Sequence, residues 1–222
     1  KKVDVVIHLA ALIGIPYSYI SPLAYLKTNV EGTYNVLESA KNLNLKDIII
    51  TSTSEVYGSA KYLPIDELHP LNAQSPYAAS KISADQLCLS YYRSFELPIT
   101  ILRPFNTFGP RQSLRASIPT IISQVIEGKQ KIKMGNISTK RDFSYVSDTV
   151  SGFLSCISNE KCLGESINLG TGKAFTIEQT IKFISELTEK QIDVEVDKSR
   201  LRPEKSEVNH LLSNNIKAKE IL

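Results

Sequence analysis

Tyr77 and Lys81 stand four residues apart in a stretch opened by Ser75-Pro76. On a helix that spacing puts both side chains on one face, where they suit acid/base work coupled to oxidation. A phenol, with an ordinary pKa of about 10, is a poor base at neutral pH, but an adjacent ammonium and a second positive charge favour the phenolate. Bringing it to neutrality takes about 4 kcal/mol, within reach of two nearby charges in a partly dry site. The spacing alone is weak, because chance supplies about one Tyr-x-x-x-Lys pair in such a chain. Tyr57 and Lys61 form another. There Gly58 follows directly and Pro64 comes soon after, predicting a loop. Ser75-Pro76, by contrast, is a capping residue with proline at the first helical position. Context therefore selects Tyr77, although the pair alone reads more readily as a half-buried tyrosine beside a surface lysine.

Glu55 follows an apolar run within Thr51-Ser52-Thr53-Ser54. A carboxylate there can take a proton from carbon while Thr53 and Ser54 hydrogen-bond a substrate oxygen; a turn or helix cap uses the same residue types. Arg111, Arg141 and Arg202 lie near prolines, an aspartate or expected turns, and their forked guanidinium groups suit a diphosphate. His8, His69 and His210 have no metal-ligand spacing, nor do Cys88, Cys156 and Cys162. The expectation is no metal and reduced thiols.

These residues need a scaffold. Residues 3–9, 47–52 and 99–102 read as apolar strands buried in a parallel sheet, the first covered on both faces. An irregular helix is expected from Ser21-Pro22 to about Leu43, and another from Ser75-Pro76 to before Pro98. Strand, helix, strand, helix, strand is the order of a doubly wound α/β sheet, whose ligands sit beyond the carboxyl ends of the strands. Further helices are expected over 117–127, near Asp148 and after Thr176, with strands near 131–133, 166–169 and 192–196, and a helix-like run at 216–222. A net charge of +3 with scattered basic residues gives no nucleic-acid footprint. No run approaches the roughly 18 apolar residues of a membrane span.

Together these segments resemble the extended short-chain dehydrogenase/reductases that epimerise, dehydrate or decarboxylate nucleotide sugars. The likeness rests on HLAA at 8–11, Asn29 in TNVEGT, STSEVYG at 52–58, SPYAASK at 75–81, RPFNTFGPR at 103–111, RDFSYVSD at 141–148, NLGTG at 168–172 and Arg202-Pro203. It implies a Rossmann-like sheet, with 1–110 a partial dinucleotide-binding domain and 111–222 mainly a smaller substrate lobe whose elements partly return to the main sheet. It also implies NAD, or NADP, as cofactor, a nucleotide-diphosphate sugar as partner, and a cytoplasmic homodimer. Tyr77 would be the base, Lys81 its activator and a ribose ligand, and Thr53 a second contact to the 4-hydroxyl. Leu9, Ala10, Ala11, Asn29 and Phe105 would line the dinucleotide; Asn106, Arg141, Arg202 and, as a neighbour, Arg111 would hold the diphosphate. None of the ten glycines forms the family's opening glycine-rich turn, and residues 3–9 match the family's fourth strand. The expectation is an N-terminally truncated fragment, inactive by itself.

The resemblance leaves the reaction among relatives that share a 4-keto sugar intermediate. An epimerase returns the hydride to the other face, whereas a 4,6-dehydratase needs a base beside the ketone and an acid for the departing 6-hydroxyl. Glu55 fits that base; Ser54 stands where hexose dehydratases carry aspartate. The wider pattern looks most like 4,6-dehydratases of the legionaminic-acid pathway acting on a nucleotide-linked N-acetylglucosamine. The 4-epimerase, a UDP-glucuronate-type decarboxylase and a non-catalytic dinucleotide sensor follow in that order.

Overall fold

The computed structural model describes residues 3–222. Along the chain, β1 (Val5–His8) is followed by α1 (Ile15–Ile20), α2 (Pro22–Tyr25), a π-helical segment (Leu26–Glu31) and α3 (Gly32–Lys41). Next, β2 (Asp47–Thr51) leads through a single 3-10 turn (Ser54–Tyr57) to α4 (Pro76–Phe95), β3 (Ile99–Pro104) and β4 (Asn106–Phe108). Then come α5 (Ser117–Ile126), β5 (Lys131–Met134), β6 (Lys140–Tyr145), α6 (Val146–Leu154), β7 (Ser166–Leu169) and β8 (Ala174–Thr176). The chain continues with α7 (Ile177–Thr188), β9 (Asp193–Val196) and α8 (Ile216–Ile221).

The described residues form a parallel sheet in the order β1-β2-β3-β7. Alternation along β2 assigns its faces, since successive strand residues point to opposite sides. Ile48 and Ile50 pack with Leu37 and Ala40 of α3 and Cys88 and Tyr91 of α4, whereas Ile49 packs with Phe153 of α6 beside Ile221 of α8. Helices therefore cover both faces, the doubly wound arrangement expected. β7 comes late in the chain yet completes this sheet. A smaller layer forms from β5 with β9 and the helices α5 and α7, around Ile121, Ile132 and Ile181.

Strand β1 differs from its expectation. Among the described residues it pairs only with β2, and Ile7 is 38% exposed while Ile48, Ile49 and Ile50 are fully buried. Coverage on both faces belongs to β2 and β3; on β1, Val6 packs against the α3 and α4 side, whereas Ile7 on the opposite face is open. The irregular helix expected from Ser21-Pro22 to about Leu43 resolves into α2, the π segment and α3. The strands β4, β6 and β8 form an additional small sheet that the apolar pattern did not indicate.

Candidate active site

Because β1, β2, β3 and β7 run parallel, their carboxyl ends reach one edge of the sheet. Leu9-Ala10-Ala11, Ser52 to Glu55, and Phe105-Asn106 follow β1, β2 and β3 there. Helix α4 brings its first turns to the same edge. Ser75 Oγ accepts from the Ala78 amide at 3.1 Å, so the sequence-read cap fixes where this helix begins. Tyr77 and Lys81 share a face and are both buried. Lys81 Nζ donates to the Thr51 carbonyl at 2.6 Å, tying α4 to the end of β2. The Tyr77 ring meets Tyr25 edge-on at 6.2 Å.

After β2 the chain turns once. Thr53 is extended, and its Oγ1 accepts from the Glu55 amide at 3.2 Å. Gly58 closes the turn at φ +60, where a Cβ would collide with the Asn72 carbonyl. Thr53 is thus a cap, and its hydroxyl acts on the Tyr77 phenol, favouring the ionised form. Ser54 is buried in the turn. Glu55 reaches forward to Arg202, with Oε1 3.5 Å from Nη1.

Burial pushes the Tyr77 phenol up, the Thr53 hydrogen bond pulls it down, and Glu55, Asp85 and Tyr25 add to the rise. The sequence expectation that Lys81 would lower it is not met in the chain alone. The Lys81 ammonium is itself disfavoured by burial and engages Thr51.

Arg141, Arg202 and Asn106 line one cavity of about 290 Å³ together with Gln112, Arg115, Arg200 and Glu207. Its wall includes the apolar side chains of Met134, Phe143 and Ile177. Asn106 Oδ1 and Gln112 Oε1 are buried with no partner among the described residues. Arg111 does not join this wall: it is exposed, with φ 66, in the turn after Pro110, and Arg115 takes that place. Arg115, Arg200, Gln112 and Glu207 were missed by sequence reasoning, since no motif marks them and only the fold of the later chain assembles them. Asn29 is buried, with its amide bonded to both backbone atoms of Leu12 and to Ser80 Oγ. It shapes the loop after β1. Phe105 packs in the core with Val56 and Tyr57, while Leu9 is 65% exposed and Ala10 is also open.

A further group behind α4 also escaped the sequence. Fully buried Asp85 accepts from Ser52 Oγ at 2.8 Å and pairs with Arg103, whose Nη1 donates to the Tyr57 hydroxyl at 3.0 Å. The spacing Lys81 to Asp85 signals a shared helix face, but nothing in the sequence names Arg103 as the partner.

A parallel sheet with helices on both faces, a Tyr-Lys pair at its carboxyl edge and an arginine-lined cavity beside it define an extended short-chain dehydrogenase/reductase. All residues 1–222 match the family described as GDP-mannose 4,6 dehydratase, and the chain belongs to that family. It is 36% identical to a dTDP-D-glucose 4,6-dehydratase from Dictyostelium discoideum over 77% of this chain and 42% of that protein. It is 33% identical to a UDP-glucuronate 4-epimerase from Thermodesulfobacterium geofontis over 100% of this chain and 67% of that one. A solved UDP-glucuronic acid 4-epimerase from Bacillus cereus, in complex with UDP-glucuronic acid and NAD, superposes with a TM-score of 0.92 at 31% identity. That match covers 99% of this chain and 69% of the epimerase. The chain spans about half the length of the first curated relatives it matches.

Proposed function

We propose that the complete protein is a nucleotide-sugar 4,6-dehydratase that uses NAD, or NADP in its place, and works through a 4-keto sugar. The residues fit a dinucleotide: Lys81 engages one N–H with Thr51 and has two left for ribose hydroxyls, beside the open, small and apolar Leu9-Ala10-Ala11 surface. Bound nicotinamide supplies the hydride acceptor and a positive charge that opposes the effect of burial on Tyr77. Tyr77 takes the proton of the 4-hydroxyl while the Thr53 hydroxyl steadies that oxygen. Asn106, Arg141 and Arg202 hold the diphosphate, and Ser54 offers a hydroxyl near the reacting carbons. Glu55 removes the proton beside the ketone and, once protonated, passes it to the departing 6-hydroxyl, which leaves as water. A cytoplasmic homodimer belongs to the same proposal. Among the described residues no helix is long and apolar enough to cross a membrane.

The observation that carries this reading is the place of Glu55 in the turn after β2, its amide bonded to Thr53 Oγ1, at the end of the strand whose Thr51 carbonyl receives Lys81 from the helix of Tyr77. In Glu55→Gln, oxidation at the 4-position is expected to survive while elimination slows by about a hundred- to ten-thousand-fold. The 4-keto sugar and reduced cofactor then accumulate, as read by absorbance and product analysis over a panel of nucleotide sugars. In deuterium oxide the parental enzyme labels the carbon beside the ketone. The second reading, a 4-epimerase, is favoured by the Glu55–Arg202 pair, which gives this glutamate a structural task. Near-parental turnover by Glu55→Gln, with no deuterium at that carbon, puts the epimerase first.

A further inference from the structure

Two arginines of the cavity expected to take a diphosphate already have carboxylates beside them. Arg202 Nη1 lies 3.5 Å from Glu55 Oε1, and Arg141 Nη2 lies 3.8 Å from Glu207 Oε1. The Glu55 side chain is 13% exposed and that of Arg202 22% exposed, so water screens this contact only in part. Arg202 faces the cavity, whereas Glu55 belongs to the turn that carries Thr53 against Tyr77. One guanidinium therefore joins the anion pocket to the residue proposed as the base. Glu55 is met through Nη1 alone, and a phosphate gripped end-on by Nη1 and Nη2 would need that same nitrogen.

We infer that Glu55 and the diphosphate of the substrate compete for Arg202, so that filling the anion pocket releases the Glu55 carboxylate toward the sugar. This deepens the dehydratase reading and rests on it. Before substrate arrives, Arg202 is a positioning residue that holds Glu55 away from proton abstraction. When a diphosphate takes the guanidinium, the carboxylate loses its contact with Arg202 and turns toward the sugar carbon. A sugar monophosphate or free sugar leaves Arg202 on Glu55, so the exchange selects for diphosphate-linked substrates in the chemical step as well as in binding. Arg141 is a shared partner, with Glu207 3.8 Å away and Glu55 acting on it as well, so both arginines of the pocket feel the Glu55 charge.

The exchange is tested on the complete protein by calorimetric titration with UDP, dTDP and GDP in turn, without turnover. Glu55→Gln is nearly isosteric and removes the competing charge, so the diphosphate that binds the parent is expected to bind this variant about fivefold more tightly. In an Arg202→Gln background the same substitution is expected to change affinity by less than about twofold, because the group being competed for is gone. Glu55→Asp, which keeps the charge, reports on the exchange if the glutamine variant misfolds; it is expected to remain within about twofold of the parent. Equal affinity of parent and Glu55→Gln overturns the exchange. So does a tightening that persists undiminished without Arg202, which would be a general charge effect. If none of the three diphosphates binds the parent, the nucleotide-sugar reading itself fails.

Discussion

The Tyr57 hydroxyl donates to Asn168 Oδ1 at 2.7 Å and accepts from Arg103 Nη1 at 3.0 Å, and the Arg103 guanidinium lies 5.2 Å from the Tyr57 ring. Lys61, four residues on, is exposed. Tyr77 is buried in the first turns of α4 against Tyr25, at the edge where the strands end. The same spacing thus serves packing in one pair and a prospective proton transfer in the other. Tyr57→Phe leaves an amide oxygen and a guanidinium donor unpaired in a dry interior, a loss of about 1–3 kcal/mol, and is expected to lower the melting temperature by several degrees while retaining substantial turnover. Tyr77→Phe is expected to keep the melting temperature and abolish cofactor reduction. Thermal unfolding and absorbance of the reduced cofactor read the two effects, and equal losses of cofactor reduction would show that both tyrosines serve the chemistry. The sequence separated them through Gly58, Pro64 and the Ser75-Pro76 cap. It could not show that Arg103 completes the Tyr57 site, because that contact joins residues 46 apart.

Elements were legible where burial is apolar and ends are capped. The run of isoleucines in β2 and the Thr176 capping box of α7, in which Thr176 and Gln179 exchange hydrogen bonds, are of this kind. Strand β6 was not, since its core is polar. Arg141, Asp142 and Ser144 are its buried residues, and hydrophobic periodicity does not register them. Asp142 Oδ1 accepts from the Thr171 amide at 2.8 Å and its hydroxyl at 2.6 Å, while Oδ2 accepts from the amides of Gly172 at 2.9 Å and Ser213 at 3.2 Å. One carboxylate thereby pins the loop after β7 and the segment before α8 to the strand that carries Arg141. Hydrogen bonds to a charged group contribute about 1.5–3 kcal/mol each, and stranding several buried donors costs more than losing one bond. Asp142→Ala is expected to destabilise the protein by at least about 3 kcal/mol and to weaken diphosphate binding through displacement of Arg141. Urea titration and calorimetry measure these. Parental stability in that variant would mean that the loop holds its place without the carboxylate.

Across the whole molecule, a dry interior raises weak acids wherever they fall. Burial pushes the Tyr57 phenol up from 10.0 to about 12 and the Cys88 thiol from 9.0 to about 12. The Cys156 and Cys162 thiols rise for the same reason. Each group is more acidic in the unfolded chain than in the folded one, so the unfolded state loses its proton first as pH rises. The stability linked to these groups is complete below the unfolded values and is lost as pH climbs from about 9 through the folded values near 12. Cys88 lies between α4 and the sheet, among Leu37, Ile50 and Ile99. Cys88→Ala removes one titrating group from that set at the cost of a small cavity, a penalty that does not depend on pH. The stability difference between parent and variant should therefore change with pH in the variant's favour, by about 2–3 kcal/mol between pH 9 and 11. Urea unfolding at several pH values under reducing conditions measures it. Parallel loss of stability in parent and variant over that interval would place the Cys88 thiol near its ordinary range, and would mean that water reaches the contact between α4 and the sheet.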